Sequence, residues 1–318
     1  MTTPSTTALP VAEVARTGAA VLDGVGTAVV GMRRTLRLAL AAILAGGHVL
    51  FEDVPGLGKT LAARSLAAAL GLEFRRLQCT PDLLPADVTG SFLYDQRRAD
   101  FSFRAGPVFT NLLLADEINR TPPKTHSALL EAMAERQVTV EGRTFPLPQP
   151  FHVLATSNPV EYEGTYPLPE AQLDRFMVRV SLGYPSLDDE TDMLAAHAEH
   201  DRVLDLGPVA DVGDIVAAQR AAATVHGSDA LRRYIVGVLA ATRADSRVDL
   251  GASPRAGLML FRAAKALAAL DGRHHALPDD VQALAPTVLT HRLLMAPGGT
   301  HEERSAVVHD ALERVPAL

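Results

Sequence analysis

Eight residues constrain this chain more than any others. Asp53-Val54-Pro55-Gly56-Leu57-Gly58-Lys59-Thr60 follows a short apolar stretch, His48 to Glu52, and precedes an Ala/Leu-rich segment, Leu61 to Leu72. A strand, a glycine-bearing loop and a helix in that order open an α/β unit built on a parallel sheet. A polyphosphate needs several backbone N–H groups converging on it, and glycines let the main chain turn and approach. Pro55, Gly56, Leu57 and Gly58 form that loop, with N–H groups from all but the proline, and the helix adds its positive N-terminal end. Lys59 is placed to reach the β- and γ-phosphates of a nucleotide, and the Thr60 hydroxyl to ligate Mg²⁺. The strict pattern asks for glycine where this chain has Asp53; a plain strand-to-helix turn with a solvated Lys59 is the competing reading.

A nucleotide hydrolase also needs a carboxylate for magnesium and a group that positions water. Leu112-Leu113-Leu114-Ala115-Asp116-Glu117 supplies an apolar strand ending in two acids, at the strand end where an open α/β sheet holds its ligand. Asp116 is the candidate for Mg²⁺, through water, and Glu117 for polarising the attacking water; alone, the same pair reads as a helix N-cap. The strand Phe151 to Thr156 runs into Ser157-Asn158-Pro159, so Asn158 is either a γ-phosphate or water contact or a turn residue before proline. Arg175, in Leu173-Asp174-Arg175-Phe176, is either an arginine delivered to a neighbouring site or the partner of Asp174 or Glu170. Ser253-Pro254-Arg255 is a helix start, with Ser as cap and Pro at the first position. An arginine there opposes the helix dipole, a mild sign that Arg255 serves a site.

Around these motifs, Leu36, Leu40, Ile43 and Leu44 fall on one helical face. Phe74 to Cys79 and Arg179 to Leu182 read as further strands, Lys124 to Arg136 as a helix, and Gln137 to Phe145 as a hairpin turning at Glu141-Gly142. After Pro185 helices dominate. The expected division is a disordered lead over 1–12, an αβα nucleotide-binding core over 13–187 and a small all-helical domain over 188–318.

Composition narrows the function. Of 318 residues 30 are Lys or Arg and 37 are Asp or Glu, a net charge of −7, which speaks against a dedicated nucleic-acid binder. The single cysteine, Cys79, excludes an internal disulfide framework and a thiolate metal cluster. The apolar run Leu38 to Phe51 is too short and too interrupted for a membrane span, and the Thr-rich N-terminus lacks a signal-peptide core, so a cytoplasmic protein is expected. His197 with His200, and His274 with His275, lack a zinc frame; Arg97, Arg98 and Arg104 read as a solvated face.

Taken together, HVLFEDVPGLGKT, NLLLADEINRTPPKTHSALLEAM, VLATSNPVEYEGTYPLPEAQLDRF and GASPRAGLMLFRAAKALAALDGR resemble the MoxR-type AAA+ ATPases, from about Val29 almost to the C-terminus. The resemblance implies Walker A at Gly56, Gly58, Lys59 and Thr60, Walker B at Asp116 and Glu117, sensor 1 at Asn158, an arginine finger at Arg175 and sensor 2 at Arg255. It implies an adenine-side contact at Val30-Gly31 and a further intersubunit contact at Arg120; Met32 stands where the family usually has a polar residue. It also implies a ring, commonly a hexamer, with ATP and Mg²⁺ between subunits and a helical lid after the core. The segment between Thr80 and Pro107 resembles the family's helix-2 insert, and the Glu141-Gly142 hairpin its pre-sensor insertion. Such proteins act as chaperones that mature or assemble client proteins, often with a partner carrying a von Willebrand factor A domain. Two other readings stay open: a non-hydrolysing, nucleotide-gated scaffold, and a nucleic-acid-remodelling machine.

Overall fold

The computed structural model describes residues 9–317 except 55, 98, 159–165, 167, 185, 198–205 and 298. Helices α1 (Val11–Ala28) and α2 (Arg33–Leu44) lead into β1 (Val49–Glu52), the phosphate loop and α3 (Lys59–Ala69). There follow β2 (Phe74–Gln78), α4 (Pro85–Thr89), β3 (Gly90–Asp95), β4 (Asp100–Ala105), β5 (Leu112–Asp116) and α5 (Pro123–Glu135). The hairpin β6 (Gln137–Val140) and β7 (Arg143–Pro146), then β8 (His152–Ser157), α6 (Glu170–Leu173) and β9 (Val178–Val180), complete this part. The remainder is α7 (Leu187–His197), α8 (Val212–Thr224), α9 (Asp229–Arg243), β10 (Val248–Leu250), α10 (Pro254–Leu270), α11 (Pro278–Leu289), β11 (Leu294–Met295) and α12 (His301–Arg314).

Five strands form one parallel sheet in the order β2-β5-β8-β1-β9. Because parallel strands are covered on both faces, their sequences are apolar runs rather than alternations; every residue of β5 is buried. The period of two still decides which residue faces which layer. Val49, Phe51, Leu112, Leu114, Leu154 and Val178 join a core with α1–α3 and the C-terminal helices. Leu50, Leu113, Ala115, Val153 and Ala155 join a second core with Leu129, Met133 and Phe151 on the other side. The chain passes from β1 to the far edge at β2 and returns through β5 and β8, so the carboxyl ends of β1, β8 and β5 stand side by side at the switch point.

Some expectations shift. The first helix begins at Val11, two residues inside the expected lead, and packs on α10, α3 and α8. Gly18 permits the closest approach, since a Cβ there would stand 2.3 Å from Leu270 Cδ2. N-terminal helices therefore share one core with the C-terminal ones. The helical part carries the two-stranded antiparallel pair β10–β11, and the 80–107 segment holds α4 and the antiparallel pair β3–β4. Expected hairpin and observed β6–β7 agree, with Glu141 and Gly142 both at positive φ.

Candidate nucleotide site

The loop after β1 is shaped for close approach. Gly56 (φ 87°) and Gly58 (φ 77°) adopt the left-handed region, where a side chain is strained, and Gly58 caps α3. Leu57 is buried, which anchors the loop; Pro55 lies outside the described residues. Asp53 N donates to Ser157 O at 3.2 Å, extending the β1–β8 ladder into the loop. Lys59 Nζ donates to Asp53 O, and to Ser157 O at 3.3 Å. Its ammonium is thus held at the mouth of the loop.

Thr60, one residue on, reaches across to the end of β5. Its Oγ1 donates to Asp116 Oδ2 at 3.1 Å. Asp116 is 7% exposed, and burial alone would raise its pKa. Hydrogen bonds from Thr156, Arg76 and Thr60 outweigh that and hold the carboxyl below its usual range. Thr156 Oγ1 donates to Oδ1 at 2.6 Å; Arg76 donates to Oδ2 from Nη2 at 2.5 Å and from Nε at 3.0 Å. The same Thr156 oxygen accepts Glu117 N at 2.8 Å, so one hydroxyl on β8 fixes both acids. Glu117 sits at φ 57° and ψ 50°, an uncommon conformation for a side-chain-bearing residue. Its carboxylate accepts from Gln78 Nε2 at 3.0 Å and pairs with Arg120 Nε at 3.3 Å. Arg120, expected between subunits, thus pairs within its own chain.

Asn158 is buried at the end of β8, and its carbonyl accepts Asn119 Nδ2 at 3.2 Å. Asn119 Oδ1 is buried with no hydrogen-bond partner. Lys59, Thr60, Asp116, Glu117 and Asn158 are therefore gathered at adjoining strand ends.

Of the two remaining arginines, Arg255 pairs with the residue that precedes Arg175. Asp174, offered above as a partner for Arg175, pairs instead with Arg292 Nε at 2.9 Å and Arg255 Nε at 3.4 Å. The side chain of Glu170 is outside the described set. Arg292 is 7% exposed and also donates to the carbonyls of Phe176 and Val288. Burial brings its pKa down to about 10, which leaves it cationic at neutral pH. Arg255, expected to swing over a nucleotide, is thus paired with the residue that precedes Arg175 in the chain.

Gly31 (φ 78°) lies against α7: a Cβ there would stand 2.7 Å from Asp189 Oδ2. Val30 is half-buried beside it, and Met32 is a core residue at 4% exposure. Cys79 is buried and its thiol is pushed up to about 11, so it is no nucleophile. Among the described residues no His, Cys, Asp and Glu cluster forms a metal site, and no helix is long and apolar enough to cross a membrane. His200 and Arg98 lie outside the described residues. Sequence reading missed Arg76, Gln78 and Thr156; for the first two the signal was there in β2, where polar side chains interrupt the strand.

Comparison with known proteins agrees with this geometry. The model of the ATPase family associated with various cellular activities (AAA) matches residues 48–178, and an AAA lid domain matches 240–311. Chaperone MoxR1 of Mycobacterium tuberculosis is 43% identical over 90% of this chain and 78% of its own. The chain belongs to the MoxR family of AAA+ ATPases. YeaC of Bacillus subtilis is 48% identical over 92% of both chains. The crystal structure of a presumed ATPase from Cytophaga hutchinsonii superposes with a TM-score of 0.89 at 38% identity, covering 97% of each chain. The fold is accordingly an AAA+ αβα core followed by a helical lid.

Proposed function

We propose that this MoxR-family chain hydrolyses ATP at the interfaces of a homo-oligomeric ring, hexameric by family resemblance, and uses the cycle to remodel, assemble or mature partner proteins. The observation that carries the reading is that Lys59, Thr60, Asp116 and Glu117 gather at adjoining strand ends, with Thr60 bonded to Asp116 and Thr156 bonded to both acids. A scaffold that only senses nucleotide has no need of Glu117 beside Asp116.

In this reading the loop amides of 56–60 and Lys59 hold the phosphates, and the Val30-Gly31 turn contacts the base. Mg²⁺ fits the donor set, because the Thr60 hydroxyl and the Asp116 carboxylate are hard oxygens 3.1 Å apart. Bound there, with Asp116 acting through water, it would neutralise phosphate charge. Glu117, turned outward by its left-handed backbone, takes the proton of the attacking water, and Asn158 orients that water. Arg175 completes a neighbour's site as its finger. We assign Arg255 to the same neighbouring site, since it pairs with Asp174, the residue preceding Arg175. The working division is a core over 11–187, its start moved to the first residue of α1, and a lid over 188–318. The reading includes a client protein, a von Willebrand factor A domain partner and a cytoplasmic location, which the family resemblance supports.

The test is steady-state ATP hydrolysis against protein concentration, with Glu117→Gln as the blank. Specific activity rising with concentration supports a site completed by a neighbour. Turnover by Glu117→Gln at the parental rate would sink the catalytic assignment.

A further inference from the structure

Asp53 is the residue at which this phosphate loop departs from the strict glycine pattern, and one oxygen of its carboxylate is heavily engaged. Its Oδ2 accepts three hydrogen bonds: from Ser181 Oγ at 2.8 Å, Leu182 N at 2.6 Å and Gly183 N at 2.9 Å. Those donors belong to the strap that leaves β9 and enters α7. At its start, Ser181 O accepts the Thr35 hydroxyl of α2 at 3.2 Å. Beyond it, Asp189 in the first turn of α7 lies against Gly31. Residues 181–183 therefore touch the phosphate loop through Asp53, and α7 reaches the Val30-Gly31 turn through Asp189. The Asp53 main chain meanwhile receives the Lys59 ammonium. A glycine at position 53 would leave two backbone N–H groups and a hydroxyl without this acceptor.

We propose that Asp53 is a positioning residue that clamps the 181–183 strap to the phosphate loop, and so fixes the distance between the phosphate end and the base end of the nucleotide site. The proposal rests on the nucleotide reading above. A nucleoside triphosphate spans both ends and benefits from a fixed separation. A ligand that occupies only the phosphate end, such as inorganic tripolyphosphate, does not. Preorganisation of this kind raises affinity by removing the cost of ordering the strap at the moment of binding.

The experiment is competition against a fluorescent N-methylanthraniloyl-ATP on the full chain, with ATP and tripolyphosphate as competitors. For Asp53→Ala the expected result is an ATP affinity weaker by about tenfold, the weight of one charge-assisted hydrogen bond, with tripolyphosphate within about twofold of the parent. Asp53→Asn can place its amide oxygen where Oδ2 now accepts, and is expected to restore ATP binding to within about threefold of the parent. Equal loss for both competitors would mean damage to the loop itself and would overturn the clamp, as would unchanged ATP affinity. Should Asp53→Ala not fold, Ser181→Ala decides: an ATP-selective loss of about threefold supports the clamp, and no selective loss refutes it. A parent chain that binds neither competitor would remove the nucleotide reading itself. A parent that binds both while the Ala variant shows no selectivity removes only the clamp.

Discussion

Thr156→Val replaces a hydroxyl by a methyl of nearly the same shape at a position 1% exposed. It removes the 2.6 Å donation to Asp116 and leaves the Glu117 N–H, now 2.8 Å from the hydroxyl oxygen, without an acceptor. A hydrogen bond to a charged group contributes about 1.5–3 kcal/mol, and a buried unsatisfied N–H costs about 1–3 kcal/mol. Overlap between the two effects gives an expected destabilisation of about 3–4 kcal/mol, large against a folding stability of about 5–15 kcal/mol. Thr156→Ser keeps the hydroxyl and loses one buried methyl, about 1 kcal/mol. Urea unfolding followed by circular dichroism separates the two, and ATP turnover is expected to fall steeply in Val and mildly in Ser. The hydroxyl bond lowers the Asp116 pKa, so its contribution is present above the unfolded carboxylate range and disappears as pH falls through the folded value. The gap between parent and Thr156→Val should therefore narrow as pH falls below the unfolded carboxylate range. A Val variant as stable as Ser at neutral pH would refute the hydroxyl's role as the tie between the two acids.

Three further outcomes are expected. Lys59→Ala should abolish binding of fluorescent ATP, whereas Glu117→Gln should bind it and lose turnover; equal binding by both would unseat Lys59. Arg292→Met leaves Asp174 half-buried without its close partner and should destabilise by about 3–5 kcal/mol, with Asp174→Asn relieving part of the loss in the double variant; additive effects in a thermal melt would argue against a coupled pair. Burial holds His48 at about 3 and His152 at about 4, so both stay neutral in the folded chain. Because the unfolded imidazoles titrate near 6.5, stability should fall as pH drops from about 6.5 toward 4, and a flat urea midpoint over that range would contradict it.

Sequence made the fold and most of the site legible where the signal is local. The phosphate loop, the β5 acids and the Ser253-Pro254 helix start are each written in consecutive residues, and each stands where the spacing placed it. What was hidden depends on which distant residues meet. Arg76 and Gln78 face the two acids only because β2 pairs with β5 in one register, Gln78 opposite Asp116. Asp174 could have paired with its neighbour in sequence, and it turns instead to Arg292 and Arg255, which fold back from the lid. Helix α1 was understated because Thr17, Gly18, Gly24, Gly26 and Thr27 give it weak intrinsic propensity, which packing against α10 overrides. Asp53 read as a mismatch until the strap that uses it was in view.

The central claim is that one subunit's Glu117 works with its neighbour's Arg175. The direct measurement is ATP hydrolysis by Arg175→Ala and Glu117→Gln proteins, each alone and then mixed in equal amounts. Each alone should be inactive. In a mixed ring every head-to-tail interface pairs one subunit's acids with the next subunit's finger, so about a quarter of the interfaces regain both, and about a quarter of parental activity should return. A mixture as inactive as its components, from subunits shown to co-assemble, would contradict the account.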